Sequence, residues 1–171
     1  MTTLVLETER LRLRRLTTDD APFLLELLND SSFIRNIGDR GVRDIEGACR
    51  YVTDGAVASY GKHGYGMDVV ELRSTGESAG LCGLVRRDYL DDPDIGYAFL
   101  PRFTGRGYAV ESAAAVLAHA RGALGLQRVL AIVSPDNDPS IRLLGKIGLR
   151  YERMITPPGE DKAIRLFTTD A

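Results

Sequence analysis

Between residues 94 and 133 the chain reads apolar run, glycine turn, helical pattern, apolar run. "DIGYAFLP" has the β-branched and aromatic character of a strand, and "RVLAIV" (128–133) that of a short buried one. Between them Ala109, Ala113, Val116, Leu117, Ala120 and Leu124 fall on one helical face, which predicts a helix over 107–124 ended by Gly125. A strand, a helix and a second strand in this order make a parallel pair, because the helix returns the chain to the starting end of the sheet. In such a sheet a ligand site forms beyond the carboxyl end of the first strand. "RFTGRGYA", Arg102 to Ala109, lies at that end.

The flanking sequence completes the sheet. Leu4 to Arg15 alternates apolar and charged residues, which predicts an early strand or two short ones. "TTDD" (17–20) supplies capping groups for a helix over 19–29 carrying Phe23, Leu24, Leu27 and Leu28. Residues 31–42 read as irregular, and Ile45, Ala48, Cys49, Val52, Ala56 and Tyr60 predict a second helix over 43–61. Strands are expected over 65–72, 78–88 and 94–100, separated by "STGES" and "LDDPD". After 128–133 a short helix is expected, with Asp138 as N-cap, Pro139 as its first residue and Gly148 as its terminator. Strands over 149–156 and 163–168 finish the chain. The expected fold is α+β, a single domain over 1–171 with one mixed sheet of about six or seven strands and helices on both faces.

Composition narrows the function. A net charge of −2 argues against binding nucleic acid through bulk charge. No apolar run approaches the roughly 20 residues that span a bilayer, and the N-terminus lacks a signal-peptide pattern. Cys49 and Cys82 are isolated from each other, as are His63 and His119, so no metal site is expected. Two lone thiols in such a chain suggest a reducing compartment, the cytoplasm.

Three phosphate-binding patterns can be tested on the glycine turn. A P-loop needs G-x-x-x-x-G-K-[ST], which is absent. A dinucleotide fingerprint needs Gly or Ala where Val110 stands, and an acidic residue about 20 positions on, and has neither. The third pattern fits. Arg102-x-x-Gly105-x-Gly107-Tyr108-Ala109 between strand and helix resembles the coenzyme A loop of the GNAT N-acetyltransferase superfamily. "LETERLRLRRLTTDDA", "DIGYAFLP" and "GLQRVLAIVSPDNDPSIRLLGKIGLRYE" resemble its ribosomal-protein alanine N-acetyltransferase (RimJ/RimL-like) branch, so the likeness covers essentially the whole chain. Glycines let backbone N–H groups approach a pyrophosphate, and the helix start adds partial positive charge.

The resemblance implies the GNAT fold, acetyl-CoA as co-substrate without a metal, and an amine acceptor, either a peptide N-terminus or a small molecule. It places the pantetheine arm against Phe99, Leu100 and Pro101, with Pro101 ending the ladder where the strands splay. The pyrophosphate falls on Arg102, Phe103, Thr104, Gly105, Arg106, Gly107, Tyr108 and Ala109, and Asn137 meets the arm. Many members carry a tyrosine seven residues after that asparagine to protonate the leaving thiolate. Leu144 stands there, and Ser140 is the implied substitute. For the base that deprotonates the amine the candidates are Asp94, which leads, Asp68, Glu71 and His63. Arg35, Asn36, Asp39 and Arg40 fall in the family's acceptor region. A non-catalytic coenzyme A-binding domain of the same fold shares every cofactor residue. Both a monomer and a homodimer are compatible with the sequence.

Overall fold

The computed structural model describes residues 3–169. Its first strands are β1 (Leu4–Glu7) and β2 (Leu11–Arg15), and they pair antiparallel. The Thr8 amide donates to the Leu11 carbonyl at 2.9 Å, and the Leu11 amide donates to Thr8 Oγ1 at 3.1 Å. This tight turn splits the alternating run into a hairpin, so the sheet has eight strands among the described residues and not six or seven.

A 3-10 turn (Thr18–Asp20) opens α1 (Ala21–Leu28), with Thr17 and Asp20 forming a capping box. Residues expected to be irregular hold a short helix, α2 (Ser31–Asn36), because the Asp30 carboxylate accepts from the Ser32 and Phe33 amides. The next helical segment runs from α3 (Ile45–Tyr51) through a π-helical stretch (Val52–Val57) into α4 (Ala58–His63), and Gly64 closes it in the left-handed conformation.

Strands β3 (Met67–Leu72), β4 (Ser78–Val85) and β5 (Asp94–Phe99) follow, then α5 (Tyr108–Arg121) and β6 (Leu130–Val133). Gly122 caps α5, so the helix ends before the expected Gly125. In α6 (Asp138–Lys146) the N-cap is Asn137, one residue before the expected Asp138, and Pro139 is second in the helix. Its end matches expectation. Gly148 has φ +97°, and the Leu149 and Gly148 amides donate to the Leu144 and Gly145 carbonyls, a Schellman closure. β7 (Arg150–Ile155) and β8 (Ile164–Thr168) complete the sheet.

The sheet order is β1-β2-β3-β4-β5-β6-β8-β7, and β5·β6 is the parallel pair. The register aligns Arg15, Asp68, Cys82 and Tyr97 in one row across four strands, on one face. Helix α5 packs on β4 and β5, with Ser112 against the Cys82 thiol, and so covers that face. Arg14 points to the other face by alternation. It meets Asp20 at the start of α1 (Nη2–Oδ1 2.7 Å) and Glu71 (Nε–Oε2 2.9 Å). Helices therefore cover both faces, and the core lies between them, with Leu11, Leu13, Val69, Val70 and Ala113 fully buried. Among the described residues no helix is long and apolar enough to cross a membrane.

Candidate active site

The parallel pair hardly pairs. Asp94 aligns with Leu130, and the Leu130 amide donates to the Pro93 carbonyl at 2.9 Å. Beyond that apex β5 stays on β4 along its whole length and β6 stays on β8. Each strand keeps its outer partner, so the two diverge into a V that leaves the inner edge of Gly96–Phe99 open. Backbone N–H and C=O groups on such an edge are ready to pair with an extended amide-bearing arm. The splay begins after Asp94 and not, as expected, at Pro101. Pro101 instead opens a 3-10 turn (Pro101–Phe103) once the Leu100 amide has made its last bond to the Ala79 carbonyl, 3.0 Å away. Leu100 and Phe103 are buried and anchor the turn, while Thr104 Oγ1 donates to the Pro101 carbonyl at 2.8 Å.

At the wide end of the V the glycine turn enters α5. Gly105 and Gly107 have φ +75° and +83°, a left-handed region that only glycine enters without strain. Gly107 is the N-cap and has no side chain to bond the helix start. The Glu111 amide is the first to find a helical acceptor, the Gly107 carbonyl at 3.1 Å. Helix geometry thus leaves the amides of Gly107, Tyr108, Ala109 and Val110 without intrahelical partners, pointing out of the positive end of α5. An added Cβ at Gly105 would meet nothing within 4 Å, so the space beside the turn is open there. Four converging donors at a helix start fit a diphosphate.

The two arginines of the turn contribute less. Arg102 is exposed and paired with Glu26 of α1 at 2.7 Å, and Arg106 is exposed too. The brace of the turn is Arg10. It bonds Glu111 (Nε–Oε1 2.7 Å) and the Arg106 carbonyl (Nη1–O 2.9 Å), and its guanidinium lies 4.6 Å from the Tyr108 ring centre. Burial pushes the Glu111 carboxyl up, but bonds from Thr8 and from the Arg10 amide and guanidinium outweigh this and lower it. Its charge is thereby held in the first turn of α5 with a cation against it. Sequence reasoning missed Arg10, since no short-range pattern links it to a turn about a hundred residues away.

On the α6 side, Asn137 Oδ1 accepts from the Ser140 amide at 3.4 Å. Ser140 Oγ lies 2.5 Å from the Tyr97 hydroxyl, which crosses the V from β5. Burial pushes the Tyr97 phenol up to about 12, opposed by its bond to Ser140. Tyr97 was also missed. In "DIGYAFLP" it shares a face with Ile95 and Phe99 and reads as core.

The four carboxylate and imidazole candidates separate. Asp94 is 1% exposed and sits at the apex of the V, with Arg87 Nε 2.9 Å from its Oδ1. Burial raises its pKa to about 6 against the pull of Arg87. Asp68 lies two strands away, and it lines a separate cavity of about 220 Å³ with Arg15, Tyr60, Tyr65 and His119. Burial raises its pKa to about 7, with Tyr60 and Arg15 opposing. Glu71 is committed to Arg14, and His63 stacks on Tyr65 at the end of α4. Of the acceptor-region residues, Arg35 and Arg40 are exposed, Asp39 pairs with Arg43 at 2.6 Å, and the Asn36 carbonyl accepts from Ser134 Oγ at 3.2 Å. Among the described residues no group of three or more His, Cys, Asp or Glu could hold a metal.

A family model described as "Acetyltransferase (GNAT) domain" matches residues 10–150. This chain belongs to the GNAT acetyltransferase family. Relatives from Bacillus subtilis agree in length. The N-acetyltransferase YoaA is 32% identical over 152 residues, covering 88% of this chain and 85% of its own. The protein YkkB is 32% identical over 155 residues, covering 88% and 87%. An acetyltransferase from Agrobacterium tumefaciens superposes with a TM-score of 0.82 at 26% identity, covering 100% of this chain and 95% of that one. RimL, a ribosomal alpha-N-protein acetyltransferase solved in complex with coenzyme A, shares the fold with a TM-score of 0.83 at 18% identity, covering 96% of each chain. The GNAT domain here is thus an N-acetyltransferase.

Proposed function

We propose that this N-acetyltransferase takes its acetyl group from acetyl-CoA and passes it to a primary amine by direct attack in a ternary complex. The observation that carries this reading is the continuous path from the uncapped start of α5, along the open edge of β5, to the Tyr97–Ser140 pair. The pyrophosphate takes the amides of 107–110, the pantetheine arm lies along Phe99 and Leu100, and the arm's end reaches Ser140. Asn137 orders the first turn of α6 through its bond to the Ser140 amide.

Charge requirements favour an α-amine as acceptor. With a pKa near 7.8 it is about 14% neutral at pH 7, whereas a lysine amine near 10.4 is about 0.04% neutral. Asp94 is the base. It is the candidate at the apex, and a carboxylate titrating at about 6 is still ionised at neutral pH. The amine nitrogen attacks the thioester carbonyl, the C–S bond breaks with its electron pair on sulfur, and the proton lost from nitrogen ends on the thiol. Ser140 hydrogen-bonds the departing sulfur, which as a thiol of pKa about 8.5 needs only partial help.

The experiment is release of free coenzyme A thiol from acetyl-CoA with a panel of peptides and small amines. Turnover with peptides of free N-terminus, lost on blocking that terminus, is the expected result. Coenzyme A binding without turnover on any acceptor would instead support a non-catalytic domain.

A further inference from the structure

Position 144 of α6 holds a fully buried leucine, so that helix has no phenol to offer a leaving group. A phenol reaches the same place from the opposite wall of the V. The Tyr97 hydroxyl lies 2.5 Å from Ser140 Oγ and 3.4 Å from the Ser140 carbonyl. Its direction is fixed from below, because Tyr97 pairs with Cys82 on β4 and shares the face covered by α5. Ser140 is fixed from its own side, three residues after the N-cap, with its amide on Asn137.

Two hydroxyls at this distance share one proton between them and keep the other for a third group. Either hydroxyl can donate across that gap, and the greater acidity of a phenol favours Tyr97 as donor and Ser140 Oγ as acceptor. The serine proton is then left for a further acceptor. We propose that Tyr97 is a positioning residue for Ser140: its phenol orients and polarises the serine hydroxyl so that the serine proton bonds the departing coenzyme A thiolate. This rests on the acetyl-CoA reading above and adds to it the residue that replaces the absent tyrosine of α6.

The pair donates hydrogen bonds and does not hand over a proton. The phenol stands at about 12, and an ordinary thiol near 8.5. Moving the tyrosine proton to sulfur is therefore strongly disfavoured. The sulfur ends with the proton that the amine loses, and Tyr97 and Ser140 finish each turnover unchanged. A hydrogen bond to a developing charge is worth roughly 10–100-fold in rate, which sets the loss for Ser140→Ala. Polarisation by one further bond is smaller, so Tyr97→Phe is expected to cost about 3–10-fold.

The test uses the thiol of coenzyme A itself, titrated in its complex with the full chain through the ultraviolet absorbance of the thiolate. The wild-type complex is expected to titrate below free coenzyme A. Tyr97→Phe, which keeps the ring and its packing, should return the bound thiol part of the way, and Ser140→Ala further. Calorimetry well below the pH at which the thiol titrates should find coenzyme A still bound by both variants. The double variant should match Ser140→Ala alone, in thiol titration and in kcat, whereas Ser140→Thr should retain the dependence on Tyr97. Equal thiol titration in wild type and Tyr97→Phe, or full additivity in the double variant, would overturn the positioning role while leaving the acetyl-CoA reading intact. Failure of the wild-type chain to bind coenzyme A would overturn that reading and this one together.

Discussion

Gly107→Ala tests the glycine turn where its geometry is tightest. Gly107 has φ +83° and ψ +4°, and a Cβ there would stand 3.2 Å from Arg10 Nη2. A left-handed alanine costs about 1–2 kcal/mol. Arg10 cannot move aside freely, since Glu111 and the Arg106 carbonyl hold it. The cost must then appear in one of two places. If the turn keeps its shape, the fold is weakened, and for a chain of this size Tm falls by about 2–8 °C. If the turn relaxes, stability returns but the amides of 107–110 no longer converge, and donor affinity falls by roughly 5–30-fold. Calorimetric titration with coenzyme A and a thermal melt on the same protein read both quantities. Gly105→Ala is the companion, with φ +75° but open space around it, so it carries the conformational cost without the Arg10 contact. Gly107→Asn should recover part of the loss, because asparagine tolerates the left-handed region. Gly107→Ala with both affinity and Tm unchanged would refute the claim that the left-handed turn holds the amides in place.

Asp94→Asn should lower kcat by about 100-fold or more and abolish the acid limb of the kcat profile at saturating substrates, which a base titrating at about 6 places just below neutral pH. Because Arg87 holds that carboxyl down, Arg87→Met should move the limb to higher pH, and a profile unmoved by either change would remove Asp94 from the chemistry. Asp68→Asn should stabilise the protein at pH 8. Its folded-state pKa is raised to about 7, so the carboxyl favours folding at low pH and that contribution is lost as pH rises through 7. A displacement of about three pH units at about 1.4 kcal/mol each makes the ionised form cost on the order of 4 kcal/mol. The gain in Tm should be clear at pH 8 and fade toward pH 4, and an equal effect at both would contradict a titrating, buried Asp68.

Much of the fold was legible because its signals are local. The strand–turn–helix–strand run, the glycine of α6 and the alternation of Leu4–Arg15 each report backbone geometry within a few residues. The misses are also physical. The alternation of Leu4–Arg15 left one strand or two open, and the two Thr8–Leu11 bonds make it two; α2 depends on the Asp30 cap, and the N-cap of α6 on which of two adjacent polar residues turns inward. Gly125 carries φ +65° but stands past the helix, which Gly122 had already ended.

The site divides along the same line. By itself the sequence determined the glycine turn, its place at the carboxyl end of a parallel strand, and hence the amides left unpaired at the start of α5, because a glycine's freedom and a helix's unpaired start are properties of a few consecutive residues. Only the tertiary structure decided what surrounds them. It split β5 from β6 after a single pair and brought Arg10 onto the turn across the sheet. It separated Asp94 at the apex from Asp68 in its own cavity, and it set Tyr97 against Ser140. Each of these joins residues from different elements, and their meeting depends on register and packing, which no short stretch of chain contains.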